Sequence, residues 1–177
     1  MRLLVDIDIL DDEALQANMA MGSLWIVIVG LLLGVLLAVF LPHEPVTLQW
    51  FLLLGAVSVA VLPVHELVHA AAFKVASGFT ARIAFGFSSW MLYTTAPGTI
   101  LPRERFCVVL LAPVVLVTTA LFVGGVLTGW LLLGWFLAVI HLAGCTGDLG
   151  YVRIIRSESR ANLVQDTERG IALFYDE

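Results

Sequence analysis

A chain of 177 residues that is 60% hydrophobic and 13% charged, with a mean hydropathy of +1.01, is not an ordinary soluble domain, and the composition predicts an integral membrane protein. Its net charge of −5 is carried mainly by the two ends, by Asp6, Asp8, Asp11, Asp12 and Glu13 at one and by Asp166, Glu168, Asp176 and Glu177 at the other. This excludes the basic face that nucleic-acid binding requires, and Cys107 and Cys145, both in apolar stretches, read as small packed hydrophobes rather than a disulfide framework.

Residues 1–21 are expected to be a cytosolic N-terminal segment. Val5-Asp6-Ile7-Asp8-Ile9 alternates with the period of a half-exposed strand, after which Asp11 or Asp12 can cap a helix entering the membrane. The acidic start, without a basic segment or a small-residue cleavage pattern, argues against a cleaved signal peptide. A first span is expected over about residues 22–41; it is uncharged and ends at Pro42, and about 20 residues match a hydrocarbon core of about 30 Å. Pro42-His43-Glu44-Pro45 then forms an outer turn.

The second span, about 46–76, is longer than a bilayer needs and contains Pro63 two residues before His65. A proline there removes one helical hydrogen bond and frees a carbonyl, which suits either a polar pocket or a helix that simply tolerates it. Residues 78–105 are punctuated by Gly78, Gly86, Pro97, Gly98 and Pro102, and 82–87 and 90–95 read as two short strands around Ser88-Ser89. The expectation is a β-hairpin or re-entrant loop at the inner face, whose edge can pair with an extended substrate or simply lie at the interface.

The third and fourth spans are expected over about 106–128 and 130–151, the fourth carrying His141 and Gly144-Cys145-Thr146-Gly147-Asp148. Residues 153–177 read as a hydrophilic cytosolic tail with an apolar patch, 171–175, able to dock on the N-terminal segment. The expected fold is therefore an all-α integral membrane protein, with four transmembrane helices over 22–152 and a short hairpin or re-entrant loop between helices 2 and 3. In this topology all nine basic residues, from Arg2 to Arg169, fall on one side, which the positive-inside rule makes cytoplasmic for both termini. Eight arginines to one lysine, with acidic ends, suggest a GC-rich or salt-adapted prokaryotic cell membrane.

His65-Glu66-Leu67-Val68-His69 is an H-E-x-x-H within the second span. On a helix the two histidines lie one turn apart on one face, where both imidazoles can reach one Zn2+ with Glu66 beside it as the general base for water. Three ionisable groups within five residues of an apolar span are costly, and such groups tend to mark function. A rise of about 1.5 Å per residue places His65 and His69 roughly 24–30 Å along span two and Asp148 roughly 27 Å along span four, at one level. Asp148 is accordingly the expected third ligand. His141, about 10 Å nearer the outside on the same count, is the poorer match despite its chemistry.

With this motif, Phe73-Lys74, Thr95-Ala96-Pro97-Gly98, Leu111-Ala112-Pro113 and Gly144-Cys145-Thr146-Gly147-Asp148 in order, residues 46–155 resemble the putative zincin peptidases, a membrane family long labelled a domain of unknown function. They are more distantly similar to site-2 intramembrane metalloproteases. The resemblance implies zinc on His65 and His69, Glu66 as catalytic base and Asp148 as the metal-binding aspartate. The chain lacks the Asn-x-x-Pro that site-2 proteases carry upstream of Leu-Asp-Gly, and Asp148 is followed by Leu149-Gly150.

The function expected is zinc-dependent hydrolysis of a peptide or membrane-protein substrate near the cytosolic face. Ser88, Ser89, Tyr93 and Thr146 are candidate donors to the oxyanion. A di-iron hydroxylase would need more ligands than four histidines provide, and a metal transporter would need charged groups along spans one and three. The alternative is a catalytically inactive zincin-like protein that acts as a binding or regulatory partner.

Overall fold

A computed structural model of the chain describes residues 1–8, 12–88, 91–167 and 170–176. Ile9, Leu10, Asp11, Ser89, Trp90, Glu168, Arg169 and Glu177, and the side chains of Ser88 and Met91, lie outside the described residues.

Among the described residues three helices are long and apolar enough to cross a membrane: α1, Glu13–Phe40; α2, Leu48–Ala76; and α3, Arg103–Thr128. A further pair, α4 (Leu131–Gly144) and α5 (Thr146–Ser157), bends by 48° between them and makes a fourth such element when taken as one span. Helix α1 begins well before the expected span because Asp12 caps it, accepting from the Leu15 amide at 2.8 Å. Helix α2 begins under the Thr47 hydroxyl and continues through Pro63. Helix α3 ends at Gly129, whose φ of 77° is the left-handed conformation that a closing glycine adopts readily.

Small residues let the helices approach closely. A Cβ on Gly125 would lie 2.5 Å from the Gly134 Cα and one on Gly134 would lie 2.6 Å from the Gly125 Cα, so α3 and α4 meet backbone to backbone. Gly30 and Gly34 of α1 likewise leave room for Val139 and Phe136 of α4. At the same end, the buried Glu44 of the α1–α2 turn accepts from Trp50 Nε1 at 2.8 Å and from the Leu133 and Leu132 amides at 2.7 and 3.2 Å. It caps α4, which has no side-chain cap of its own. Burial pushes the Glu44 carboxyl up, but these hydrogen bonds outweigh it and hold the group below its ordinary range.

The other end carries the largest departure from an all-α expectation. Strands β1 (Arg2–Asp8), β4 (Ile100–Pro102), β5 (Leu163–Asp166) and β6 (Gly170–Tyr175) form one antiparallel sheet in the order β1-β6-β5-β4. The apolar patch 171–175 does meet the N-terminal segment, with Ile7 opposite Ile171 and Leu3 opposite Phe174. What reads as a hydrophilic tail is thus the centre of a sheet: its two strands pair with each other and, on their outer edges, with β1 and β4 far away in the chain. Ile155 of α5, Phe106 and Val109 of α3, Phe73 of α2, and Val164, Ile171 and Leu173 of the sheet share one core. Strands β2 (Ala84–Ser88) and β3 (Met91–Thr95) form the expected hairpin, separate from this sheet.

Many apolar side chains on the helices face outward, among them Leu32 on α1, Val59 on α2 and Leu116 on α3. Such a surface is compatible with membrane association.

Asp166 ties the hairpin to the sheet: its Oδ2 accepts from the buried Ala96 amide at 2.6 Å. Burial pushes its carboxyl up to about 6, although the Ala96 N–H and the His69 imidazole pull the other way. The folded state therefore holds this proton more tightly than the unfolded chain. Its contribution favours folding below about pH 4 and is lost as pH rises through about 6, on the order of 3 kcal/mol in all. Asp166→Asn keeps an acceptor for Ala96 and removes the titration, so its thermal midpoint relative to wild type should rise from pH 5 to pH 8. A midpoint difference that does not change over this range would contradict the assignment.

Candidate metal centre

Four residues apart on α2, His65 and His69 present their rings on one side, with centroids 4.7 Å apart. Asp148, on the first turn of α5, faces both: its Oδ2 is 3.4 Å from His65 Nε2 and its Oδ1 is 3.2 Å from His69 Nε2. The three sequence-predicted ligand residues are thus brought together, and their ligand atoms all lie within 4.8 Å of one another. Two ligands about 2.0–2.1 Å from a tetrahedral zinc ion would be about 3.3 Å apart, so two imidazole nitrogens and a carboxylate at these distances fit that ion.

Hydrogen bonding on the far side of His69 strengthens the fit. Its Nδ1 lies 3.1 Å from the Val109 carbonyl of α3, which only accepts, so Nδ1 carries the hydrogen. A neutral His69 then turns its Nε2 lone pair toward a carboxylate oxygen. Two electron-rich atoms facing each other at 3.2 Å require a proton or a cation between them.

The bend between α4 and α5 positions Asp148. Thr146, at the break, exchanges a hydrogen bond with Ser23 of α1 at 2.8 Å, and the Ser23 hydroxyl also donates to the Ala143 carbonyl at 2.7 Å. The last carbonyls of α4 are partly satisfied by α1, and α5 leaves in a new direction. Thr146 is thereby committed to the helix packing, away from the oxyanion role considered for it. The Tyr93 ring lies over Gly86 within the hairpin. Ser88, by its side chain, and Ser89 are outside the described residues.

Glu66 is half-buried beside His65, and its carbonyl accepts from the Thr94 hydroxyl of β3 at 3.0 Å. The hairpin is therefore held directly against the turn of α2 that carries the motif.

The structure moves His141 into contact with the site and adds a polar contact for Cys145. His141 does not lie one level away: its Nε2 is 3.1 Å from His65 Nδ1, and its Nδ1 is 2.9 Å from the Thr118 hydroxyl. The depth count treats span four as one straight helix, whereas the chain bends by 48° between His141 and Asp148. Cys145 is a buried free thiol, as expected, and its Sγ also lies 3.9 Å from His65 Nδ1 and 3.8 Å from His141 Nε2. The spacing of His141 and Cys145, one helical turn apart, was the available signal.

A helix bearing H-E-x-x-H against a carboxylate from a second helix, within a set of long apolar helices, defines a zincin-like protein. The chain belongs to the family described as "Putative zincin peptidase", whose profile matches residues 58–162, more than half of its length. The matched region runs from the middle of α2 through the hairpin, α3, α4 and α5, and so contains His65, Glu66, His69 and Asp148. No curated protein and no solved structure matches the chain.

Elemental analysis of detergent-purified protein should find about one zinc per chain in wild type. Asp148→Ala and His65→Ala should both fall to the chelator-treated baseline, because each removes one of three ligands. Full zinc retention in Asp148→Ala would remove it from the ligand set.

Proposed function

We propose that this protein is a zinc-dependent membrane peptidase that hydrolyses peptide bonds near the cytosolic face of a bilayer. The observation that carries the reading is the convergence of His65 Nε2 and His69 Nε2 on the two oxygens of one carboxylate, with Glu66 on the same helix turn. The family to which the chain belongs supports a metallopeptidase.

His65, His69 and Asp148 would hold the ion. Bound zinc supplies Lewis acidity, making a water a better nucleophile near neutral pH and polarising a carbonyl. Glu66 takes the proton released by the attacking water onto its carboxylate and delivers it to the departing amine nitrogen, as a general base and then a general acid. His69 is held in register by Val109, and the Thr94 bond fixes the backbone of Glu66 against the hairpin. The hairpin backbone, next to this turn, offers an extended peptide a strand to pair with.

Orientation follows from charge. Lys74 at the end of α2, Arg103 and Arg105 at the start of α3 and Arg153 and Arg156 on α5 lie toward the sheet end of the helices, while the turn 41–47 and Gly129 at the other end carry no lysine or arginine. The sheet end is then cytoplasmic, together with both termini, and the metal centre lies near that boundary.

Glu66→Gln separates chemistry from metal binding. With zinc still near one per chain, turnover of a cleaved peptide or membrane-protein substrate should fall about 10²–10⁴-fold, the range general acid–base catalysis contributes. Unchanged cleavage would remove Glu66 from the mechanism, and a cellular phenotype that survives the substitution would point to a binding role instead.

A further inference from the structure

His65 stands between two groups of ligand atoms. Its Nε2 faces Asp148, and its Nδ1 faces His141 Nε2 at 3.1 Å and Cys145 Sγ at 3.9 Å, with 3.8 Å between those last two atoms. For a tetrahedral ion with metal–nitrogen bonds of about 2.0–2.1 Å and a metal–sulfur bond of about 2.3 Å, ligand atoms would be about 3.3 Å apart for two nitrogens and about 3.6 Å for nitrogen and sulfur. The three observed separations are close to these.

The surroundings prepare the same atoms. With its hydrogen on Nδ1, His141 donates to Thr118 Oγ1 at 2.9 Å and leaves its Nε2 lone pair toward His65 Nδ1, while the Cys145 thiol, 3.7 and 3.8 Å from the two ring nitrogens, donates to the His141 carbonyl at 3.1 Å. Cys145 is almost completely buried, as the free thiol of Cys107 also is, and the Cys145 sulfur has two imidazoles within 3.9 Å. Two nitrogens and a sulfur form a softer set than two nitrogens and a carboxylate.

We propose that His65, His141 and Cys145 form a second cation site, selective for a cation softer than Zn2+, which competes with the His65–His69–Asp148 site for His65. A neutral imidazole has one lone pair. When His65 binds through Nε2, its hydrogen is on Nδ1 and is donated to His141. When it binds through Nδ1, the hydrogen moves to Nε2 and is donated to Asp148 Oδ2, 3.4 Å away. The thiol of Cys145 loses its proton to solvent as the metal–sulfur bond forms. A thiophilic ion in the second site thereby removes one ligand from the first, and inhibits whatever the first site does. Ligation by the second set is independent of the peptidase reading; the competition rests on zinc occupying the first.

The test is titration of the full-length, detergent-purified protein with Cd2+, reading the cadmium–thiolate charge-transfer absorption and the zinc released. The absorption should appear in wild type, Cys107→Ser and Asp148→Ala, vanish in Cys145→Ser and need about tenfold more Cd2+ in His141→Ala. Zinc should leave wild type at about tenfold lower Cd2+ than it leaves Cys145→Ser. Absorption that persists in Cys145→Ser, or disappears in Asp148→Ala while that variant stays folded by circular dichroism, would overturn the site. Equal zinc release from wild type and Cys145→Ser would overturn the competition. Wild type without zinc but with the Cys145-dependent absorption would instead fail the peptidase reading and leave this site standing.

Discussion

The rest of the structure depends on one contact: the carboxylate of Asp148 set between two imidazoles of another helix. Burying a carboxylate against the lone pair of an oriented histidine is unfavourable unless a positive charge joins them, and a few kcal/mol per unpaired ion is the usual scale of that cost. The surrounding elements prevent the groups from moving apart. Helix α2 fixes the two histidines at one-turn spacing, the Val109 carbonyl of α3 holds the ring of His69, and the bend after α4 directs Asp148 inward. Each of these constraints comes from a different element, so the site exists only in the assembled fold.

The frame is held at both ends by different means. At one end, the closely packed Gly125 and Gly134 and the capping carboxylate of Glu44 lock α4 against α3 and the α1–α2 turn. At the other, a sheet made from the two chain termini and β4 packs on α3 and α5 through a continuous apolar core. Because α5 carries Asp148 and also packs on that sheet, the terminal strands help set the position of a ligand residue far from them in sequence. Preorganisation of this kind is what a metal site requires, since ligands must meet within tenths of an ångström.

Much of this is visible in the sequence where the signal is local. The apolar runs mark the long helices, the glycines and prolines of 78–105 mark the hairpin, and the spacing of His65 and His69 marks one face of α2. Asp148 was reachable by counting residues from the helix ends, since Asp148 falls at the right depth even though the element bends. The same count fails for His141, because the chain bends by 48° between His141 and Asp148, so the two are not stacked along one straight axis. The sheet was illegible for a different reason: β4 is three residues long, and although β5 and β6 pair with each other, their outer partners β4 and β1 lie far away in the chain. Glu44, read only as part of a turn, caps a helix through the Leu132 amide, 88 residues after it.

A candidate metal centre in which one histidine faces two sets of donor groups makes the identity of the donor atoms the central question. Zinc X-ray absorption on the purified, zinc-loaded protein answers it directly. The account predicts a first shell of nitrogen and oxygen at about 2.0–2.1 Å with imidazole outer-shell scattering and no sulfur. A sulfur shell at about 2.3 Å in the singly loaded protein would place zinc on Cys145 and contradict the His65–His69–Asp148 assignment.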